Sequence, residues 1–204
     1  MFKKVVIVFE GIESSGKTSH CRFISKYLKK KKIDHVTIRE PGGSQNSERI
    51  RKILLNNNSN FDKKTDFLLY LASRNENIKK LKKFYKKKII LIDRFTDSTI
   101  AYQHFGQGIN LSIIKKLNEY VIGNFKINFT FLNIVNQKNM IQRLKQRKKL
   151  NRYDKFKLNF YKKVQNGFIK IAKKNINNYK IIDSNLDISF NKKLIIDKID
   201  KLIK

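Results

Sequence analysis

The segment Val5–Ser19, VVIVFEGIESSGKTS, constrains the fold more than any other stretch of the chain. Five apolar residues run unbroken from Val5 to Phe9, as in a strand covered on both faces. Cys21, Ile24, Tyr27 and Leu28 then recur at helical spacing. Between strand and helix lie two of the chain's eight glycines, Gly11 and Gly16, with Lys17 and Thr18 directly after. The spacing is G-x-x-x-x-G-K-[ST], in the strand–turn–helix setting that the motif needs. Backbone N–H groups of Gly11, Ile12, Glu13, Ser14, Ser15 and Gly16 can surround a phosphate, and the helix start adds partial positive charge. Lys17 is then suited to reach β- and γ-phosphates, and Thr18 to hold Mg²⁺.

The rest of the chain alternates strands and helices. HVTIRE reads as a second strand, and SERIRKILL as a helix with Ile50, Ile53 and Leu54 on one face. DFLLYLASRNENIKKL is a further helix. KKIILID is a buried strand ending at Asp93, and STIAYQ opens another helical stretch. INFTFLNI and YKIID supply the last two strands, and Leu194, Ile195, Ile199 and Leu202 line a closing helix. This alternation predicts one α/β domain over 1–204: three layers, with a five-stranded, mainly parallel sheet flanked by helices. Ligands of such sheets bind beyond the carboxyl ends of the strands.

Charge offers a competing reading. The formal net charge is +31, which suggests a nucleic-acid binder. Yet 38 of the 47 basic residues are Lys and only nine are Arg, while Lys, Asn and Ile abound and Gly, Pro and Trp are scarce. That pattern fits a genome rich in A and T, so a lysine coat made by mutational drift is the expectation. No interleaved aromatic–basic repeat, paired Cys and His, or basic region with heptads supports nucleic-acid binding. The single Cys21 excludes an internal disulfide framework and a Cys-rich zinc site. No apolar run approaches the roughly 18 residues of a membrane span. MFKKVVIVFEG has too short an apolar run for a signal peptide, and a cytoplasmic protein is expected.

The scarce residues mark the chemistry. Asp93, at a strand's end, is suited to organise a Mg²⁺ shell, and Arg94 follows with a planar fork for phosphate oxygens. REPGGSQNSERIR gathers two glycines, the sole proline and Arg39, Arg49 and Arg51 into a turn fit to hold a second phosphate. RLKQRKKLNRYD carries Arg143 and Arg147 one helical turn apart, then Arg152. This segment, about 141–157, reads as a basic lid that closes over a phosphoryl group and excludes water. Phosphoryl transfer needs mainly positioning and charge neutralisation, which these residue types supply.

FEGIESSGKT, REPGGSQ, LYLASR, DRFTDSTIAYQ and NRYD, in this order, resemble the bacterial thymidylate kinases over nearly the whole chain. REPGGSQ and DRFTDSTIAYQ are specific to that family, whereas the phosphate loop is widely shared. The resemblance implies Mg²⁺-dependent transfer of the γ-phosphoryl group of ATP to dTMP in a homodimeric enzyme, with neither nucleic acid nor membrane as partner. It implies that Glu13 approaches the 3′-hydroxyl or the metal waters, and that Arg39, Arg51 and Arg94 surround the dTMP phosphate. Tyr70, where Phe is more usual, would stack on thymine. Arg74 would meet its O4, Thr99 and Gln103 would read its N3 edge, and Tyr102 would sit against the deoxyribose. Arg143, Arg147 and Arg152 match the basic lid of the subtype whose catalytic arginine lies there; Glu13, Ser14 and Ser15 accordingly include no arginine. Gln107 stands where an arginine is common, and Asn151 and Asp154 stand where acids flank the lid arginine. A kinase for another nucleotide or nucleoside, or a basic nucleic-acid-binding protein with the same loop, remain the alternatives.

Overall fold

The computed structural model describes residues 2–204. The apolar run at the start forms β1 (Val6–Gly11), every residue of it buried. It lies at the centre of a five-stranded sheet with β2 (His35–Arg39), β3 (Ile89–Asp93), β4 (Phe129–Ile134) and β5 (Tyr179–Asp183). The order is β2-β3-β1-β4-β5 and all four pairings are parallel. The alternation of Val, Ile, Leu and Phe along β1 and β3 serves both faces, which is why these strands read as continuous apolar runs.

On one face, Ile7, Phe9 and Leu91 pack against α1 (Lys17–Lys30) and α8 (Ile188–Ile203) through Cys21, Ile24, Leu28, Ile195, Ile199 and Ile203. Leu194 and Leu202 are only partly buried, because the buried stripe of α8 falls one position later than the sequence pattern suggests. On the other face, Val6, Val8, Ile90 and Ile92 meet Ile78 and Leu81 of α3 (Lys63–Lys82). Leu132 meets Val164 and Phe168 of α7 (Leu158–Lys174).

Four further helices complete the layers: α2 (Gln45–Leu55), the short α4 (Thr96–Thr99), α5 (Leu111–Ile122) and α6 (Gln137–Lys145). In α2 Leu54 is buried but Ile53 is 47% exposed, so the apolar face expected there is narrower than drawn from the sequence. A π-helical turn, Ile100–Gly106, continues α4, and a 3₁₀ turn, Arg152–Lys155, follows α6. Register places the chemistry. Phe9 pairs with Asp93, Gly11 with Asn133, and Arg39 with Asp93, so the ends of β1, β2, β3 and β4 form one rim.

Candidate active site

Gly16 caps α1 at φ +88°, a left-handed conformation natural to glycine. Gly11 sits at φ +141°, and a Cβ there would collide with the Asn133 carbonyl. The loop can therefore lie flat on β4 only with glycine at this position. Lys17 is buried, its Nζ donating to the Ile12 carbonyl at 3.1 Å. Burial, followed by the Arg94 charge, pushes its pKa down to about 8. Thr18 Oγ1 donates to Asp93 Oδ2 at 2.6 Å, while buried Asp93 Oδ1 has no partner among the described residues.

Two cavities flank this loop. The first, about 280 Å³, opens among the carboxyl ends of β1, β2 and β3. Arg94 adopts φ +70° on its wall; Nη2 donates to Glu13 Oε1 at 2.8 Å and Nη1 to the Gly11 carbonyl at 3.0 Å. The other Glu13 oxygen accepts from the Tyr102 hydroxyl. Arg51 lines the same wall, donating to the Pro41 carbonyl at 2.6 Å. Arg39 reaches the rim, half exposed and paired with Glu48 at 3.1 Å.

The deep end of this cavity is polar and enclosed. Arg74, 2% exposed, donates through Nε to Glu40 at 2.8 Å and through Nη1 to Thr99 at 2.9 Å and Asn118 at 2.5 Å. Gln103 is 1% exposed and its Nε2 has no partner among the described residues, although the residue lines the cavity. Tyr70 and Tyr102 wall the middle, each edge-on to Tyr153 at 5.8 and 6.1 Å between ring centroids.

The second cavity, about 360 Å³, lies between the phosphate loop and the start of α8. Arg143 closes it, donating to the carbonyls of Ser14 at 3.1 Å and Ser184 at 2.6 Å. Leu186 and Ile188 are half exposed at its edge. Lys17, Thr18 and Arg147 border both cavities.

The basic segment departs from expectation in two ways. Arg143 and Arg147 do not share a helix, because α6 ends at Lys145 and Arg147 extends from the following loop to Asp154 at 2.5 Å. Arg152, expected as a lid catalyst, borders neither cavity. Its fork is taken up by Asp66 at 2.5 Å and by the carbonyls of Leu54 and Ser59. Asn151 and Asp154 form a reciprocal cap on the 3₁₀ turn, and the Asn151 amide donates to Asp154 at 2.5 Å. An acid at 151 would repel that carboxylate instead. Gln107 ends the π-helical turn and borders neither cavity.

Glu40, Asn118, Asp66 and Tyr153 escaped the sequence reading. Each is joined to its partner across 34 to 87 positions of chain. The one local signal was Arg74 itself, since an arginine within an apolar helix needs an acid nearby.

A sequence profile described as thymidylate kinase matches residues 9–195. The thymidylate kinase of Kosmotoga olearia is 34% identical over 184 residues, covering 89% of this chain and 88% of that protein. That of Thermosipho africanus is 39% identical over 179 residues, covering 87% and 88%. A crystal structure of thymidylate kinase from Ehrlichia chaffeensis superposes with a TM-score of 0.78 at 33% identity, covering 97% of this chain and 99% of that one.

Proposed function

The chain belongs to the thymidylate kinase family, and we infer from that premise that the first cavity takes dTMP, the second takes ATP, and the γ-phosphoryl group crosses between them. The observation that carries this reading is the shared border: Lys17, Thr18 and Arg147 face both cavities. A group in transit passes these three side chains, two of them cationic. Transfer of this kind asks the protein for alignment and charge neutralisation rather than covalent chemistry.

In the proposed arrangement the guanidiniums of Arg39, Arg51 and Arg94 hold the acceptor phosphate. Glu13 fixes Arg94 on one oxygen and Tyr102 on the other, next to the sugar. Thymine stacks beside Tyr70, with O4 toward Arg74 and its N3 edge toward Thr99 and Gln103. The unpaired Nε2 of Gln103 supports this end as the base site, because a buried donor needs an acceptor. Arg147 serves the transferring group, and Arg143 seals the donor side.

Thr18 and Asp93 fit Mg²⁺. They offer hard oxygen donors, and Asp93 Oδ1 is buried without a partner among the described residues. Mg²⁺ commonly binds through one or two carboxylates together with substrate phosphates. Held by Thr18 and Asp93, it would supply positive charge to neutralise the phosphate oxygens of the bound nucleotide.

Among the described residues no helix is long and apolar enough to cross a membrane. We further propose a homodimer: neighbouring α3 and α5 leave Leu68, Ile113 and Tyr120 exposed, a surface suited to a second copy.

The test is a coupled assay with ATP, Mg²⁺ and a panel of nucleoside monophosphates. Turnover should be greatest with dTMP and at least tenfold lower with dCMP, whose C4 amine meets the Arg74 donors. Gln103→Leu should raise KM for dTMP about tenfold and leave KM for ATP unchanged. Equal activity on dCMP and dTMP overturns the base assignment.

A further inference from the structure

Glu10 lies one residue before the phosphate loop, is 1% exposed and borders neither cavity. All hydrogen bonds of its carboxylate go to one place. Oε1 accepts from the backbone N–H of Phe95 at 2.8 Å and of Ser98 at 3.2 Å. Oε2 accepts from the Ser98 hydroxyl at 2.6 Å. Ser98 Oγ in turn accepts from Arg94 Nη1 at 3.3 Å.

The segment so held contains Arg94, whose backbone occupies a region uncommon for any residue but glycine. Its own N–H is tied to the Phe9 carbonyl at 3.0 Å. The turn is thus pinned on both sides of Arg94, by the sheet before it and by the Glu10 carboxylate after it. Such a conformation persists only where its surroundings over-determine it. An apolar side chain at position 10 would fill the same space at less desolvation cost, but it would leave the Phe95 and Ser98 N–H groups unpaired.

We propose that Glu10 is a positioning residue for phosphoryl acceptance: from outside the cavity it fixes the turn that aims the Arg94 guanidinium at the acceptor phosphate. The inference rests on the dTMP reading above. It separates acceptor from donor, because the Glu10 carboxylate bonds to the Arg94 turn and to no residue that lines the second cavity.

The experiment uses the full chain, with steady-state kinetics in dTMP and ATP and circular dichroism for the fold. Glu10→Met keeps the volume and removes every acceptor. It should raise KM for dTMP at least tenfold, since small misplacements of a binding group have effects of about that size or more, and leave KM for ATP within about twofold. Glu10→Gln retains one acceptor oxygen and should fall between Glu10→Met and the wild type. Ser98→Ala removes only the hydroxyl link to Arg94. It should raise KM for dTMP about threefold in the wild type and add nothing to Glu10→Met, because both act through one contact chain. A folded Glu10→Met chain with unchanged KM for dTMP overturns the proposal, as does an equal rise in both KM values. Should Glu10→Met not fold, an unmoved KM for dTMP in Ser98→Ala overturns it. A wild type inactive on dTMP would instead overturn the acceptor assignment itself.

Discussion

Lys17 is pressed against its own loop, and burial has brought its pKa down to about 8. A triphosphate beside it favours the charged form, so ATP binding should take up a proton at pH 8.5 and little at pH 7. Calorimetry in buffers of different ionisation heat measures this directly; equal uptake at both pH values contradicts it. Lys17→Ala should lower turnover by about 10²–10³ with the fold intact by circular dichroism. Near-normal turnover in the folded variant would sink the phosphate-loop assignment. Glu10 gives a second titration. Burial first, then the Asp97 charge, pushes its pKa up to about 7. Between its ordinary value of 4.5 and about 7 the folded chain retains a proton that the unfolded chain has released. Stability therefore falls as pH rises through that window. Glu10→Gln lacks this dependence, so its stability relative to wild type should increase from pH 5 to pH 7.5 by on the order of 2–3 kcal/mol. Urea unfolding at the two pH values is the measurement, and a pH-independent difference contradicts the titration.

At the scale of elements the basic segment divides its labour between two arginines that look alike in the sequence. Arg147 borders both cavities, and a closed, dry site magnifies the effect of its charge. Arg147→Gln should lower turnover at least tenfold, with KM for ATP little changed. Arg152 instead fastens the 3₁₀ turn to α3, pairing with an Asp66 carboxylate that is nearly buried. Arg152→Gln leaves that carboxylate short of its partner and should destabilise the chain by about 3 kcal/mol in urea unfolding. If Arg152→Gln is as stable as wild type but loses more turnover than Arg147→Gln, the two roles are reversed. This division could not be read from spacing, because it depends on α6 ending at Lys145 and on a contact across 86 positions. What spacing does disclose is local. Strands β1 and β3 show as apolar runs, and the loop shows as glycines at a fixed interval from Lys17. Helix α7 stays hidden because Gly167 interrupts it, and glycine disfavours helix interiors. The glycine is there because Phe105 of the π-helical turn packs where a Cβ would be. The π-helical turn is equally silent, since its i→i+5 bond from Gln107 N–H to the Tyr102 carbonyl leaves no compositional trace. Its consequence is positional, because Tyr102 and Gln103 both face the first cavity from it.

For the molecule as a whole the open quantity is the charge of +31. The structure separates two populations of cations. Arg74 and Arg94 are inserted among acids and carbonyls with their forks engaged, whereas Lys29, Lys30, Lys31 and Lys32 are exposed around the end of α1. Helix α1 starts at the phosphate loop and runs 14 residues, so its far end lies roughly 20 Å from the phosphates. That exceeds the Debye length of roughly 8 Å at cellular salt, and the field of these lysines at the site is screened. Replacing all four by glutamine should keep dTMP turnover within about threefold. The change should reach stability instead. Lys29 and Lys30 sit in the last turn of α1, where cations interact favourably with the helix end, so a loss of about 1 kcal/mol is expected. Arg147→Gln is the contrast: one charge instead of four, yet on the border of both cavities. Measured side by side in one assay at 0.15 M salt, Arg147→Gln should be the slower enzyme and the four-lysine variant the less stable one. If the four-lysine variant is the slower of the two, diffuse charge outweighs the placed arginine. The lysine coat would then be part of the catalyst and not an imprint of composition.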